Sequence, residues 1–434
     1  MITSSDIVAI IADDLTGAND SALQFHLQGA KTQILLSANA DLSNCEGTQT
    51  WAISTETRNV SSVEAFEKVK ATTQMLIEKI KPDYIFKKID STIRGNIAVE
   101  TLTVLNELQW DASIVVPAFP DEQRITVGGY HLLKSMPIER TEYSHDPVAP
   151  ICESHLPTLL TAQVQEDYKS LIGHIELKTI MQGAGPILVK MNELINNGKK
   201  LIVMDAVSNT DIEQISLAIK KIDKKILPTG TAGFARALAK IWFGTNEEEE
   251  FAVQNSVPLL PKCIISGSAT QLCATQLAEL RSSNLFNNFI EFGLKFEDIS
   301  LKESDFLVEK VVNELLNGKN VLIHTSSLIN IPEELRNSED DNEENISFPN
   351  LITDFLSDLA SKINSRVEAI FILVGGETAY KSCEKFGATR LQLIDRVTGA
   401  IPLCLTHNGR WVVTKSGNLG DSQTMVEVVK YFEK

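Results

Sequence analysis

Asp13 and Asp14 stand directly behind an apolar run at residues 8–12 and ahead of Thr16, Gly17 and Asn19, in the order VAIIADDLTGAND. A strand that ends in two carboxylates delivers acid groups to the place where open parallel sheets bind ligands, beyond the carboxyl ends of their strands. The small residues behind them suit a tight turn and the start of a helix, whose first N–H groups favour an anion. A purely structural account is that one Asp caps that helix. Residues 84–96, YIFKKIDSTIRGN, repeat the pattern with Lys87, Lys88, Asp90, Ser91, Thr92, Arg94 and Asn96 within ten positions. The cations can neutralise a carboxylate or phosphate, Arg94 can grip an oxyanion with two N–H groups, and Asp90 with Ser91 can bind sugar hydroxyls. The bland counterpart is a solvated loop capped by Asp90 or Ser91. Between these segments ISTETR, residues 53–58, reads as another strand end, with Arg58 as a third ligand or a surface charge. Arg124, in DEQRITVGGYHL, either reaches a substrate or phosphate or pins the following loop by a salt bridge.

The second half carries a different inventory. Ser266, Gly267 and Ser268 follow one strand-like run, Gly375 and Gly376 another, and Gly417, Asn418 and Gly420 a third at residues 410–414. Glycines let backbone approach phosphates closely, and Ser and Thr hydroxyls add hydrogen bonds. Each group alone is a turn; the three together fit a nucleotide site. Neither G-x-x-x-x-G-K-[ST] nor G-x-G-x-x-G occurs, which excludes a Walker-type loop and the usual dinucleotide fingerprint.

The elements that must position these residues alternate. Strand-like runs at 7–12, 31–36, 50–54, 84–88, 112–116 and 201–206 are separated by helical patterns, notably at 63–80 and 97–108. Alternation of this kind predicts an α/β domain with a mainly parallel sheet. The run TNEEEE at 245–250 has no apolar periodicity and is read as a domain connection, an exposed helix end or loop being the other physical account. The pattern then restarts with strands at 262–266, 320–325 and 368–374 and a helix at 271–285, interrupted by the polar stretch 336–345, read as a mobile surface insertion.

Nine segments in order make the chain recognisable: IADDLTGAND, STETR, KKIDSTIRGN, VVPAFPDEQRITVGGYHL, SHDPVAPICESHL, LPTGTAGFA, IISGSAT, VGGETA and KSGNLGD. Together they closely resemble the four-carbon acid-sugar kinases, a bacterial family also called tetronate kinases, over nearly the whole length. The resemblance implies two α/β domains with mainly parallel sheets and the active site in the cleft between them: residues 1–248 binding the sugar acid and residues 249–434 binding the nucleotide. It places Asp13, Asp14, Arg58, Lys87, Lys88, Asp90, Ser91 and Arg94 on the sugar side. Ser268, Gly375, Gly376, Glu377, Thr378, Gly417, Asn418, Leu419 and Gly420 fall on the nucleotide side, with Gly399 added where the family carries a glycine turn. Cys273 stands where the family commonly has Thr, so the first half of the nucleotide wall departs from the pattern.

The implied reaction is ATP-dependent phosphorylation of the terminal hydroxyl of threonate, erythronate or a 3-oxo-tetronate, with Mg2+ bridging phosphates. Lys88 and Arg94 are then the contacts for carboxylate or phosphate, and Asp14 or Asp90 is the carboxylate at the attacking hydroxyl. Glu377 either holds Mg2+ through water or caps the helix that starts near Thr378. An oxidoreductase of the same acids, disfavoured by the missing fingerprint, and a non-catalytic sugar-acid sensor remain the alternatives.

Composition bounds the rest. A chain of 434 residues is expected to hold two or three domains. The net charge of −17 argues against a nucleic-acid partner, while the Lys87, Lys88 and Arg94 cluster is a local exception able to receive an anionic small molecule. No apolar run reaches membrane-spanning length, no signal-like segment opens the chain, and the six scattered cysteines read as reduced thiols, so the cytoplasm is expected. No segment specifies an oligomeric state, and a homo-oligomer stays open.

Overall fold

The apolar run behind Asp13 is a strand, β1 (Val8–Ala12), buried along its whole length rather than on alternate residues. Burial of both faces is the mark of a parallel sheet covered by helices on both sides. The computed structural model to which it belongs describes residues 6–146, 149–244, 257–268, 270–295, 298–299, 304–326 and 348–433. The chain separates into two units, Met1–Glu249 and Glu250–Lys434. The acidic run 245–250 and the polar stretch 336–345 lie outside the described residues.

In the N-terminal unit β1 is followed by β2 (Thr32–Leu35), β3 (Thr50–Ser54), β4 (Tyr84–Lys88) and β5 (Ala112–Val116). An antiparallel ribbon of β6 (Arg124–Val127), β7 (Tyr130–Leu133) and β8 (Met136–Pro137) comes next, then β9 (Ile172–Ile175), β10 (Leu201–Met204) and β11 (Ile226–Gly230). Within this unit the strand order is β2-β3-β1-β4-β11-β5-β10-β9, every pairing parallel. Because the chain leaves β1 toward one edge and returns on its other side at β4, β1 is the topological switch point, where such sheets bind ligands.

Three helices frame that point: α1 (Leu15–His26), α2 (Ser62–Met75) and α3 (Ile97–Leu108). Asp14 starts α1 by accepting from the Gly17 N–H at 2.7 Å. The helix then buries Leu15, Ala18, Ala22, Leu23 and Phe25. Ile11, Leu35, Ile53, Ile85, Val104 and Val115 form part of one core on the sheet.

The C-terminal unit orders its strands as β13 (Phe289–Gly293), β14 (Asn320–His324), β12 (Lys262–Ser266), β15 (Ile370–Val374), β18 (Trp411–Lys415), β17 (Ile401–Thr406) and β16 (Arg390–Thr398). The first five are parallel; β17 and β16 run on as an antiparallel hairpin. Ile264, Leu322, Ile372, Leu403 and Val413 belong to its core. Here the switch lies between β12 and β15.

Most of the expected strands are present within a residue or two at their ends, and the run at 63–80 is α2 extended by a π-turn at Leu76–Ile80. The expected helix at 271–285 stops at Ser282, where Ser283 takes an extended conformation. The ribbon β6–β8 and the β16–β17 hairpin were not anticipated. All six cysteines are free thiols, five buried and Cys152 exposed.

Candidate functional site

Strand order brings three of the sequence-nominated segments together. Asp13 and Asp14 follow β1, Arg58 lies beyond β3 and Asp90 beyond β4, and these strands are direct neighbours in register. Arg58 joins them. Its Nε donates to Asp13 Oδ2 at 2.8 Å, Nη2 to Asp13 Oδ1 at 3.1 Å and Nη1 to Asp14 Oδ2 at 2.7 Å, with Asp90 Oδ1 at 3.9 Å from Nη2. A planar guanidinium can grip Asp13 with two nitrogens while a third serves Asp14, a geometry that the single nitrogen of an ammonium cannot reproduce. Gly17 completes the corner by close approach, since a Cβ there would lie 2.7 Å from Asp14 Oδ1 and 3.0 Å from Lys88 Nζ.

The two lysines divide their roles by strand alternation. Lys87 is wholly buried, paired with Glu100 at 2.8 Å and donating to the Lys88 carbonyl. Lys88 turns to the Gly17 side and donates to the Ile89 carbonyl at 2.8 Å. In the turn that follows, Asp90 accepts from Arg94 Nε at 2.7 Å and from the Thr92 hydroxyl, and Arg94 Nη1 reaches Asp146 at 2.9 Å. Ile93 adopts φ +58° there, a left-handed conformation that a β-branched residue takes only when its surroundings over-determine it.

The ribbon supplies residues on the other side of that turn. Arg124 Nη1 donates to Ser91 Oγ at 2.6 Å, and His131 Nε2 lies 2.9 Å from the Ser91 carbonyl. A carbonyl only accepts, so Nε2 carries the proton and Nδ1 accepts from Thr126 Oγ1 at 3.1 Å. Burial lowers the His131 pKa to about 4, which keeps the ring neutral. The buried Asp205 carboxylate anchors the ribbon by accepting from the N–H groups of Gly128, Gly129 and Leu177 and from His174.

The electrostatics separate the acids into two kinds. Burial alone would raise Asp13 and Asp90. Arg58 with Lys87 and Lys88 outweighs it at Asp13, and Arg94 with Arg58 holds Asp90 well below the usual carboxylate range. Burial wins at Glu56, which is pushed up to about 8 with Asp14 adding to the effect, while its Oε1 accepts from the Leu15 N–H and the Ser54 hydroxyl. Asp20, on α1, is pushed up to about 7 by burial, against the pull of Lys88. Neither Glu56 nor Asp20 had been nominated from sequence. For Asp20 the signal was available: it stands four residues after Thr16, hence on the same helix face as a residue of the nominated turn.

On the C-terminal unit the three glycine-bearing strand ends meet. The Gly267 N–H donates to the Val374 carbonyl at 3.0 Å, and the Gly375 N–H to Lys415 at 2.8 Å. A Cβ on Gly267 would collide with the Thr378 hydroxyl, and one on Gly417 with the Ser268 hydroxyl. Gly375, at φ +115°, opens the helix Gly376–Lys385, and Glu377 lies in its first turn. Thr270 Oγ1 caps the helix Gln271–Ser282 and donates to the Gly417 carbonyl at 3.1 Å. Gln276 ties down the Leu419 and Asp421 carbonyls, fixing the turn that carries Asn418 and Gly420. At the end of β18 the buried Lys415 side chain donates from Nζ to the Ser416 carbonyl at 2.8 Å. Cys273 is buried against Ser266 Oγ, so its side chain belongs to the core. Gly399 stands apart in the β16–β17 turn, where a Cβ would meet nothing within 4 Å.

Comparison with known proteins finds a domain family for each half of the chain. A sugar-binding N-terminal domain family covers residues 8–238, and a nucleotide-binding C-terminal domain family covers residues 263–425. The chain is 34% identical to a D-erythronate kinase of Heliobacterium modesticaldum over 234 residues, 54% of this chain and 52% of that protein. It is 25% identical to a D-threonate kinase of Salmonella typhimurium over 98% of each. A crystal structure from Salmonella typhimurium LT2, described as a tRNA synthase, shares the fold with TM-score 0.76 and 22% identity, over 97% of this chain and 98% of that one. The chain belongs to the four-carbon acid-sugar kinase family.

Proposed function

We propose that this protein is an ATP-dependent kinase that phosphorylates the terminal hydroxyl of a four-carbon sugar acid: threonate, erythronate or a 3-oxo-tetronate. The observation that carries this reading is the cluster of three carboxylates and two guanidinium groups at the β1 switch point, in a chain of this family. Carboxylates clamped as Asp13, Asp14 and Asp90 are retain lone pairs for sugar hydroxyls, and Lys88 and Arg94 set positive charge beside them for the substrate carboxylate or a phosphate. On the C-terminal unit Ser268, Gly375, Gly376, Thr378, Gly417, Asn418, Leu419 and Gly420 form the nucleotide wall, where missing side chains leave backbone open to phosphate. Gly399 joins that wall only through the resemblance.

Among the described residues no group of three His, Cys, Asp or Glu side chains could hold a metal by itself. A magnesium ion in a kinase needs no such group, because phosphates and water supply most of its ligands beside one or two carboxylates. Glu377, half-buried in the first turn behind Gly375, fits that need and would hold Mg2+ through water. When bound, the ion neutralises charge on the phosphates. No helix among the described residues is long and apolar enough to cross a membrane, and we place the enzyme in the cytoplasm.

The deciding experiment is ADP release with Mg-ATP against D- and L-threonate, D- and L-erythronate, 3-oxo-tetronates and longer aldonates. Turnover confined to one four-carbon acid is expected. Turnover only with longer aldonates would reject the substrate class, and silence together with no nucleotide binding would reject the kinase.

A further inference from the structure

Phosphoryl transfer to an alcohol needs a group to receive the hydroxyl proton, and the two carboxylates nominated from sequence are already engaged by guanidinium groups. Asp14 Oδ1 takes the Gly17 N–H at 2.7 Å and Oδ2 takes Arg58 Nη1 at 2.7 Å. Asp90 Oδ2 takes Arg94 Nε at 2.7 Å and the Thr92 hydroxyl, and its Oδ1 lies 3.9 Å from Arg58 Nη2. Arg94 and Arg58 hold Asp90 well below the usual carboxylate range, which makes it a weak proton acceptor, and both oxygens of Asp14 are taken up by donors.

Asp20 is differently placed. It lies one turn beyond Thr16 on α1, and Asp20 Oδ1 and Thr16 Oγ1 are both buried without a hydrogen bond. The charges that act on Asp20 are those of Lys88 at the end of β4, Glu122 in the turn ahead of β6, Asp14 at the head of α1 and Arg124 on β6. Arg124 Nε is a third buried polar atom without a partner, while its Nη1 is held by Ser91. Buried polar atoms are nearly always paired in folded proteins, so three orphaned groups, two on one helix face of α1 and one on an Arg124 whose charge acts on Asp20, are what a polar ligand would complete.

We propose that Asp20 is the carboxylate that receives the proton of the attacking hydroxyl, with Thr16 and Arg124 as donors to the same end of the substrate. The proposal rests on the kinase reading above. In the step, the terminal oxygen of the acid bonds to the γ-phosphorus and the bond from that phosphorus to the β–γ bridging oxygen breaks. ADP leaves with the electron pair, and the hydroxyl proton passes to Asp20. Burial has brought this carboxyl close to neutral pH, where it is both ionised in part and basic enough to take a proton.

The test measures kcat, KM and the pH profile of ADP release for the wild type, Asp20→Asn, Asp20→Glu, Asp14→Asn and Asp90→Asn, with calorimetric binding of the preferred acid and thermal melting of each. Asp20→Asn is expected to lower kcat by about a hundredfold or more while binding the acid with near-native affinity. The acid limb of the wild-type kcat/KM profile, expected near pH 7, should vanish in Asp20→Asn and shift in Asp20→Glu. A kcat for Asp20→Asn within about tenfold of wild type, or an acid limb removed by Asp14→Asn or Asp90→Asn instead, overturns the assignment. If melting shows Asp20→Asn unfolded, Asp20→Glu decides: an unmoved limb with native kcat overturns it. Absence of wild-type turnover on every acid is a separate outcome that brings down the kinase reading and this step with it.

Discussion

Arg58 shows how much of a site one side chain can organise. Three of its nitrogens serve Asp13 and Asp14, and the Asp90 carboxylate stands within ion-pair distance. Removing it leaves these acids without their shared cation in a largely buried corner, so Arg58→Ala should cost about 3–5 kcal/mol of stability, the usual penalty for an unpaired buried charge. Arg58→Lys keeps the charge but loses the two-nitrogen grip on Asp13 and the third nitrogen that reaches Asp14. Its fold should survive, while kcat/KM for the acid falls by about a hundredfold because the hydroxyl ligands lose their fixed geometry. Native kcat/KM in the lysine variant would refute that organising role. The residue was visible in sequence as the end of STETR, but its partners were not: an Arg after a strand pairs with whatever the neighbouring strands carry, and neighbours are set by strand order.

At the scale of elements, the parallel strands were legible because both their faces are buried and they read as continuous apolar runs. The ribbon β6–β8 was not, since its strands are only two to four residues long, partly exposed, and mix Arg124, Thr126 and His131 with their apolar residues. What holds the ribbon lies far away in sequence, in the Asp205 carboxylate beyond β10 and the Thr126–Ala206 bridge. Replacing Asp205 by Ala strips acceptors from Gly128, Gly129 and Leu177 and should cost about 2–4 kcal/mol in urea unfolding. Because the same ribbon presents Arg124 and His131 to Ser91, KM for the sugar acid should rise while KM for ATP stays put. An unchanged acid KM would mean that the ribbon only decorates the site. Glu56 is illegible for a related reason: no local pattern announces that a carboxylate will be buried without a cation of its own, whereas Asp20 shares a helix face with Thr16 and only its burial is hidden.

For the whole molecule, the opposed carboxylates set the pH at which the fold is strongest. Asp13, Asp90 and Asp205 have folded pKa values below their ordinary ones, so their stabilisation is complete above the unfolded value near 3.8 and is lost as pH falls through the folded values. Asp20 and Glu56 run the other way. Raised to about 7 and about 8, they are most favourable below their unfolded values of 3.8 and 4.5, and that contribution is lost as pH rises through 7 and 8. The two trends leave a maximum on the acid side of neutrality, with stability declining toward pH 9. Thermal melting of the protein without substrate should therefore show Tm falling from about pH 5 to 9. The double variant Asp20→Asn, Glu56→Gln removes both raised carboxyls and should flatten that decline, gaining roughly 3–6 °C at pH 8.5 and little at pH 5. Such a gain would identify charge burial at the head of α1 as a stability cost retained for function, which is where natural sequences commonly depart from the stability optimum. Parallel melting curves for the two proteins across this range would place the origin of the alkaline decline elsewhere in the acidic surface.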